Sequence, residues 1–385
     1  MGPGPSNVPP RVLRAMAWPV IGHLDPQFIS IMEETKALLR RLFQTDNELT
    51  FPVSGTGSAG MEACLANLIE PGDQVIVCVN GVFGRRMADI VRRCQGVPVV
   101  VEAAWGEIIE PEDVERALAD SGAKMVAVVH AETSTGVLQP LTELSRIVRE
   151  REALFLVDTV TSLGGFPVQL DTWGIDAVYS GTQKCLSCPP GLAPISFSPR
   201  AIAALDARRT PVQSWYLDLT MVRRYWGEER LYHHTAPISM VYALHEALRI
   251  IFEEGLDQRF ARHKQNHEAL LAGLAAMGLD LLPREGHRLW MLNAIVVPEG
   301  VDETRVRQRL LDEFGMEVGG GLGDLKGKIW RVGLMGHSST RNNVLLFLAA
   351  LEHVLRAEGY TLPSGAGVAA AQAEYAEGTQ RSGQH

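Results

Sequence analysis

The chain has 385 residues, of which 46% are hydrophobic, and its 45 acidic and 36 basic side chains give a net charge of −9. A chain of this length and composition is typical of a globular protein with about two domains. The negative charge argues against nucleic acid as a partner, because polyanions bind to clustered Lys and Arg side chains.

The chain opens with the Gly/Pro-rich stretch MGPGPSNVPPRVL, which lacks the apolar core of a secretory signal. We interpret residues 1–18 as an N-terminal arm whose Gly/Pro turn approaches a phosphate or a substrate. No apolar run reaches the ~18 residues that cross a bilayer, so we expect no membrane partner and a cytoplasmic protein. The five cysteines are an odd number and predict reduced thiols rather than a disulfide framework.

The next distinctive feature is Gly55-Thr-Gly57-Ser-Ala-Gly60, a G-x-G-x-x-G motif between an apolar run and an amphipathic run. This pattern is typical of a dinucleotide site, which also needs an acidic residue about 20 positions further on to bind the ribose. Here the following strand ends in Asn80-Gly81, so the acidic residue is missing. The motif therefore predicts a phosphate site at a helix N-terminus, and an NAD-linked oxidoreductase is the alternative from a different class.

From about residue 50 to residue 195, short apolar runs alternate with longer amphipathic runs. We predict buried strands over residues 74–80, 97–103, 124–132, 153–158, 175–181 and 192–198, with helices between most of them. Such an alternation indicates an α/β fold whose mostly parallel sheet is covered on both faces. Ligands of such sheets bind at the carboxyl ends of the strands.

After residue 241 the pattern changes to long helices and a Gly-rich strand pair, which predicts a smaller domain. We expect a large domain over residues 19–245, a small α/β domain over 246–362, and a partly mobile tail over 363–385. His263 and His267 lack the Glu of a metalloprotease helix and are predicted to lie on a solvated face. Cys185 and Cys188 have no second ligand pair, so we interpret them as apolar fillers and predict no metal site.

Two chemically active residues follow neighbouring predicted strands. Asp158 ends one strand, and Lys184 lies just beyond the next. A lysine and a carboxylate that face a phosphate site meet the needs of pyridoxal phosphate, because the lysine can form a Schiff base and the aspartate can keep the pyridine nitrogen protonated. From these residues alone, a structural Asp–Lys ion pair is an equal alternative.

Several uncommon strings occur in a single order along the chain: GPGPSNVPPRVL, SGTGSAGMEA, HAETSTGVLQP, VDTVTSLGG, SGTQKCLSCPPG, YHHTAPISMVYALHEAL and GKIWRVGLMG. With them the chain resembles the class V, fold-type I pyridoxal-phosphate aminotransferases, and it is most similar to the alanine–glyoxylate and serine–glyoxylate members. The resemblance runs from residue 2 to about residue 359. It implies pyridoxal phosphate as the cofactor and a large domain with a mostly parallel sheet, followed by a smaller α/β domain.

The resemblance also implies a role for each matching residue. Lys184 would form the Schiff base and move the α-proton, Asp158 would contact the pyridinium nitrogen, and Arg331 would bind the substrate carboxylate. The cofactor ring would lie between Phe83 and Val160.

The polar groups of the cofactor would be bound from two subunits of a homodimer with shared active sites. Thr133 would donate to the phenolic oxygen. The residues expected to hold the phosphate are Thr56, Gly57, Ser58 and Gln183 from one subunit, with Tyr232 and Thr235 from the other. Ser58 stands where some alanine–glyoxylate members have histidine, which leaves the preferred amino donor open.

The implied reaction transfers the amino group of L-alanine or L-serine to glyoxylate, giving glycine and pyruvate or hydroxypyruvate. An (S)-ureidoglycine–glyoxylate aminotransferase is the alternative, although such enzymes tend to have Asn at the position of Tyr232 and Gln near that of His23. A cysteine desulfurase is a poor match because it needs a nucleophilic cysteine in its C-terminal half, and all five cysteines here precede Pro189. Small amino acids and 2-oxo acids are the expected substrates. The best donor, and the choice between glyoxylate and pyruvate as acceptor, stay open.

Overall fold

A seven-stranded sheet organises the larger part of the chain in the computed structural model, which describes residues 1–382. In chain order the strands are β1 (Leu49–Ser54), β2 (Gln74–Val79), β3 (Val97–Glu102), β4 (Met125–Val129), β5 (Ala131–Glu132), β6 (Val137–Leu138), β7 (Leu154–Asp158), β8 (Ala177–Tyr179) and β9 (Leu192–Phe197). The sheet has the order β1-β9-β8-β7-β4-β2-β3, and β5 pairs separately with β6. Strands β3, β2, β4, β7 and β8 are parallel, while β9 is antiparallel to both of its neighbours. The predicted mostly parallel sheet is confirmed.

The helices of this part of the chain pack around that sheet. They are α1 (Pro10–Met16), α2 (Pro26–Phe43), α3 (Gly57–Leu68), α4 (Val82–Arg93), α5 (Pro111–Ser121), α6 (Thr142–Glu150), α7 (Leu170–Trp173), α8 (Pro199–Asp206), α9 (Leu219–Trp226) and α10 (Ile238–Glu254). Helices α1, α2, α5 and α8 begin with proline. Proline lacks a backbone N–H, and it is tolerated at the first helical position because an N–H there would make no hydrogen bond within the helix. Strands β4, β7 and β9 are buried along their whole length, as expected for a sheet that is covered on both faces.

A second, smaller unit follows. Its sheet contains β10 (Leu292–Val296), β11 (Gly319–Gly320) and β12 (Ile329–Gly333), all antiparallel. Its helices are α11 (Leu256–Ala276), α12 (Glu303–Phe314), α13 (Arg341–Ala357) and α14 (Ala366–Ser382). Side chains from Ala269 to Tyr375 form a hydrophobic core separate from that of the large sheet. The boundary that we predicted between residues 245 and 246 falls inside α10, whose buried side chains up to Ile251 belong to the first core.

The histidines of α11 correct one prediction. His263 and His267 are buried rather than solvated. The Nε2 atom of His263 accepts the backbone N–H of Gly336 at 2.9 Å, and Nδ1 of His267 lies 2.7 Å from Oδ1 of Asn293. Burial lowers the pKa of His263 to about 3, so its ring is neutral and joins α11 to the segment after β12.

The C-terminal segment, for which we predicted a partly mobile tail over residues 363–385, contains a packed helix. Ala371 and Tyr375 of α14 are buried, and the hydroxyl of Tyr375 donates to Oδ1 of Asn266 at 2.6 Å. Residues 383–385 lie outside the described part of the chain. Within residues 1–382, no helix combines the length and apolar character that a membrane span requires.

Candidate active site

A cavity of about 110 Å³ lies where strands β4, β7 and β8 end. This is the edge of a parallel sheet at which ligands bind. Most of the residues predicted from the sequence line it: Thr56, Gly57, Ser58, Phe83, Thr133, Asp158, Val160, Gln183 and Lys184. The remaining three, Arg331, Tyr232 and Thr235, lie outside its lining.

Asp158 is the last residue of β7 and is almost completely buried. Its Oδ2 accepts the hydroxyl of Tyr179 at 2.7 Å, and its Oδ1 accepts the backbone N–H of Val160 at 2.8 Å. Tyr179 is the neighbour of Asp158 across the parallel pair β7/β8. Burial raises the pKa of Asp158 to about 7, although both hydrogen bonds act in the opposite direction. The carboxylate is therefore costly to ionise in this chain alone and is suited to pair with a cation.

Lys184 lies beyond β8 and contacts the N-terminal arm. Its Nζ donates to the carbonyl oxygen of Pro3, and its own carbonyl oxygen accepts the hydroxyl of Ser6 at 2.7 Å. Gly4 has a φ of +106°, and a Cβ atom there would lie 2.6 Å from Nζ of Lys184. The Gly/Pro turn thus lies against the lysine. Burial, with a further contribution from Arg331, lowers the pKa of Lys184 to about 8.

The glycine motif turns the chain from β1 into α3. A Cβ atom on Gly55 would lie 2.5 Å from that of Ala59, and one on Gly60 would lie 2.9 Å from that of Ala193 in β9. Thr56 occupies the N-cap position of α3 without using its side chain as a cap, so its hydroxyl stays available to the cavity. The loop therefore points hydroxyl groups and a helix N-terminus at one end of the cavity.

Arg331 lies on β12 and reaches the edge of the site from the smaller unit. Its Nε donates to the carbonyl oxygen of Gly320 at 2.7 Å, and its Nη1 donates to that of Thr133 at 3.2 Å. The side chain is buried, which lowers its pKa below the usual arginine value. Because Thr133 lines the cavity, the guanidinium of Arg331 lies next to the cavity.

Tyr232 and Thr235 do not join the cavity of their own chain. Tyr232 is 64% exposed, and its ring centre lies 5.3 Å from that of His23. Thr235 is also exposed. The segment between them is held by His234, whose Nε2 lies 2.7 Å from the hydroxyl of Ser54, just before the glycine loop.

Three residues of the site escaped the sequence analysis. Tyr179 contacts Asp158, and its position at the end of the next parallel strand was an available signal. Glu132 is fully buried and accepts the backbone N–H groups of Phe83 and Ser134. Arg86 lines the cavity one helical turn after Phe83, a spacing that places both side chains on one face of α4.

Comparison with known proteins places this site in a family. A family model described as "Aminotransferase class-V" matches residues 2–324. The chain belongs to the class V aminotransferases. One curated relative is the (S)-ureidoglycine–glyoxylate transaminase of Bacillus subtilis, which is 42% identical over 96% of this chain and 94% of the relative. Another is the alanine–glyoxylate aminotransferase of Drosophila melanogaster, which is 38% identical over 92% of each chain. The crystal structure of an alanine–glyoxylate aminotransferase from Nostoc sp. matches with a TM-score of 0.91 and 50% identity, covering 92% of this chain and 94% of that one.

Aminotransferases of this family and of fold type I depend on pyridoxal phosphate, and the cavity fits that cofactor. An amine and a carboxyl group, those of Lys184 and Asp158, line the same small space. Among the described residues, the side-chain Oε1 of Gln183 is buried without a hydrogen-bond partner, so this oxygen is available to accept a hydrogen bond from a bound group. The NAD-linked alternative is rejected, since the family is established and Asn80, at the position of a ribose-binding acid, donates instead to the carbonyl oxygen of Glu107.

The predicted fillers Cys185 and Cys188 are buried free thiols. Burial raises the pKa of Cys185 to about 11, so its thiol stays protonated at neutral pH. No group of three or more potential metal ligands occurs among the side chains that the structure describes, those of residues 1–378.

Proposed function

We propose that this aminotransferase moves the amino group of L-alanine or L-serine to glyoxylate, giving glycine and pyruvate or hydroxypyruvate. The observation that carries the proposal is the position of Pro3. Its carbonyl oxygen accepts the amine of Lys184, and its ring lies against Gly319, which neighbours Arg331 across β11/β12. A carboxylate bound at Arg331 would then lie near Pro3, which favours substrates with small side chains. The named functions of the relatives, which share glyoxylate as a substrate, support this proposal.

In this mechanism pyridoxal phosphate, when bound, supplies the electron sink for the carbanion formed at the α-carbon. Lys184 moves the α-proton, and its depressed pKa of about 8 keeps a useful fraction of its amine neutral near neutral pH. Asp158, held in place by Tyr179 and Val160, provides the negative charge for the pyridine nitrogen. Arg331 orients the substrate through its carboxylate, for which a planar guanidinium offers two parallel donors. Phe83 and Val160 are proposed to enclose the ring, Thr133 to donate to its phenolic oxygen, and Thr56, Gly57, Ser58 and Gln183 to hold the phosphate.

Ureidoglycine is the second candidate donor. The curated relative that is 42% identical carries that activity in its name, and a crystal structure of a ureidoglycine–glyoxylate aminotransferase from Bacillus subtilis matches with a TM-score of 0.96. The test adds L-alanine, L-serine or ureidoglycine, one at a time, to the purified holoenzyme without an acceptor. Each true donor bleaches the visible absorbance of the bound cofactor. Bleaching by ureidoglycine alone would replace our first candidate with the second.

We further propose a homodimer with shared active sites, in which Tyr232 and Thr235 bind the phosphate of the partner subunit. Their exposure and their absence from their own cavity support this arrangement. Mixing inactive Lys184→Ala subunits with inactive Tyr232→Phe/Thr235→Ala subunits is expected to restore activity in hybrids that keep one intact site. A fully active monomer in light scattering would contradict the proposal.

The five free cysteines support the cytoplasm as the compartment.

A further inference from the structure

The end of the cavity formed by Thr56, Gly57, Ser58 and Gln183, here called the phosphate end, contains no charged side chain among those four residues. They offer hydroxyl groups, backbone N–H groups and an amide. A phosphate monoester carries roughly −1.5 to −2 charges at pH 7, and removing such a charge from water costs free energy unless a cation pairs with it. A fixed positive charge is therefore to be expected near this end.

Arg86 meets that requirement. It lines the same cavity, and its Nη1 donates to the hydroxyl of Ser58 at 3.1 Å. Its guanidinium carbon also lies 4.9 Å from the ring centre of Phe83, a distance suited to a cation–π contact. Within the described lining of the cavity, Lys184 is the one other basic residue, and its amine would be committed to the covalent bond with the cofactor.

Two other arginines of α4, Arg85 and Arg93, differ from Arg86 in their pairing. Arg85 forms ion pairs with Glu102 and Asp324, and Arg93 forms one with Asp89. Arg86 forms no ion pair with any of the side chains described, those of residues 1–378, and its one side-chain hydrogen bond among them goes to a neutral hydroxyl. A guanidinium has five N–H donors, so most of its donors are available to an anion.

We infer that Arg86 is the cation that binds the cofactor phosphate, oriented by the hydroxyl of Ser58 and the ring of Phe83. Ser58 then has two tasks, as a donor at the phosphate end and as the acceptor that holds the guanidinium there. A guanidinium suits this position because its planar array of N–H groups can bind two phosphate oxygens at once. The inference depends on pyridoxal phosphate as the cofactor and is independent of the amino donor.

The test compares two ligands that differ only in the phosphate, pyridoxal phosphate and pyridoxal. Their dissociation constants are measured by absorbance titration of the full-length protein after removal of its cofactor, for wild type, Arg86→Met and the matched control Arg93→Met. We expect Arg86→Met to weaken pyridoxal phosphate roughly 10- to 100-fold and to change pyridoxal less than about twofold, since only the charged hydrogen bonds to phosphate are lost. Arg93→Met, on the same helix but paired with Asp89, is expected to leave both constants unchanged.

Three results would overturn the inference. Equal weakening of both ligands would assign Arg86 to the ring or to the fold, and no weakening of either would leave it without a role in cofactor binding. An increased KM for the donor with unchanged cofactor affinity would assign it to the substrate. If Arg86→Met does not fold, Arg86→Gln, which keeps a donor for Ser58, is measured in the same way. A phosphate-specific loss in Arg86→Gln supports the inference, and an unchanged ratio of the two constants refutes it.

Discussion

Replacing Asp158 with asparagine is expected to stabilise the cofactor-free chain at high pH while it removes most of the activity. Burial raises the pKa of this carboxyl from its ordinary value of 3.8 to about 7. A difference of about three pH units corresponds to roughly 4 kcal/mol, which is the cost of keeping the ionised group in the folded chain. Asparagine has nearly the same shape and no charge to bury; its NH2 group replaces one of the two accepting oxygens beside Val160 and Tyr179, and the cost of that change does not depend on pH.

The direction of the pH dependence follows from proton binding. The unfolded chain releases this proton near pH 4, while the folded chain keeps it up to about pH 7, so the folded state binds more protons between these values. Stability contributed by this site therefore falls as the pH rises through that window and stays low above it. Glu132 is buried nearby, has a raised pKa as well, and contributes to the raised pKa of Asp158, so part of the pH-dependent difference comes from the repulsion between the two carboxylates.

The assay is urea unfolding of the cofactor-free protein at pH 5 and pH 8. The stability of Asp158→Asn relative to wild type is expected to increase by about 2–3 kcal/mol between the two pH values. Asp176→Asn is the control, because the Asp176 carboxylate is paired with Arg200 and accepts the N–H of Phe155. That variant is expected to lose stability at both pH values, since it leaves its partners unpaired.

Asp158→Asn also has a catalytic consequence, which is measured on the holoenzyme. Transamination by Asp158→Asn is expected to fall by orders of magnitude, because the cofactor nitrogen loses its charged partner. A stability difference that does not change with pH would refute the proposed burial cost. Turnover close to that of wild type would show that the carboxylate is structural.

Three further outcomes are expected. Arg331→Ala should lose roughly 30- to several-thousand-fold in kcat/KM with alanine and much less with alaninamide. Arg331→Lys should recover only part of the loss, because a point charge lacks the two parallel donors. Equal small losses with both donors would assign the carboxylate site elsewhere. Gly4→Ala should lower kcat/KM severalfold because its Cβ would crowd the end of the Lys184 side chain, whereas Gly286→Ala, with a φ of +87° and open space around it, should leave kcat/KM unchanged. Borohydride reduction of the holoenzyme followed by peptide mapping should label Lys184, and a label on another lysine would contradict its assignment.

The sequence by itself determined the sheet and the centre of the site. Runs of Val, Ile and Leu that alternate with amphipathic segments specify buried parallel strands, because only such strands need apolar side chains on both faces. The carboxyl ends of parallel strands meet at one edge, so Asp158 and Lys184, placed after neighbouring strands, had to approach the same cavity. The glycine loop could be located from its sequence pattern, and the close contact of Gly55 with Ala59 is local, whereas Gly60 meets Ala193 of another strand.

Only the tertiary structure decided which distant segments meet this centre. The contact between Pro3 and Lys184 joins parts of the chain that are far apart in sequence, and no local pattern specifies such a contact. The burial of His263 is another case. The sequence predicted a solvated ring, but in the structure the backbone N–H of Gly336, from another segment, donates a hydrogen bond to it. The spacing of Arg86 from Phe83 is visible in the sequence, but the difference in ion pairing between Arg86 and Arg85 or Arg93 depends on which acids the fold brings near. Residue spacing within an element is set locally, whereas partners between elements are set by packing.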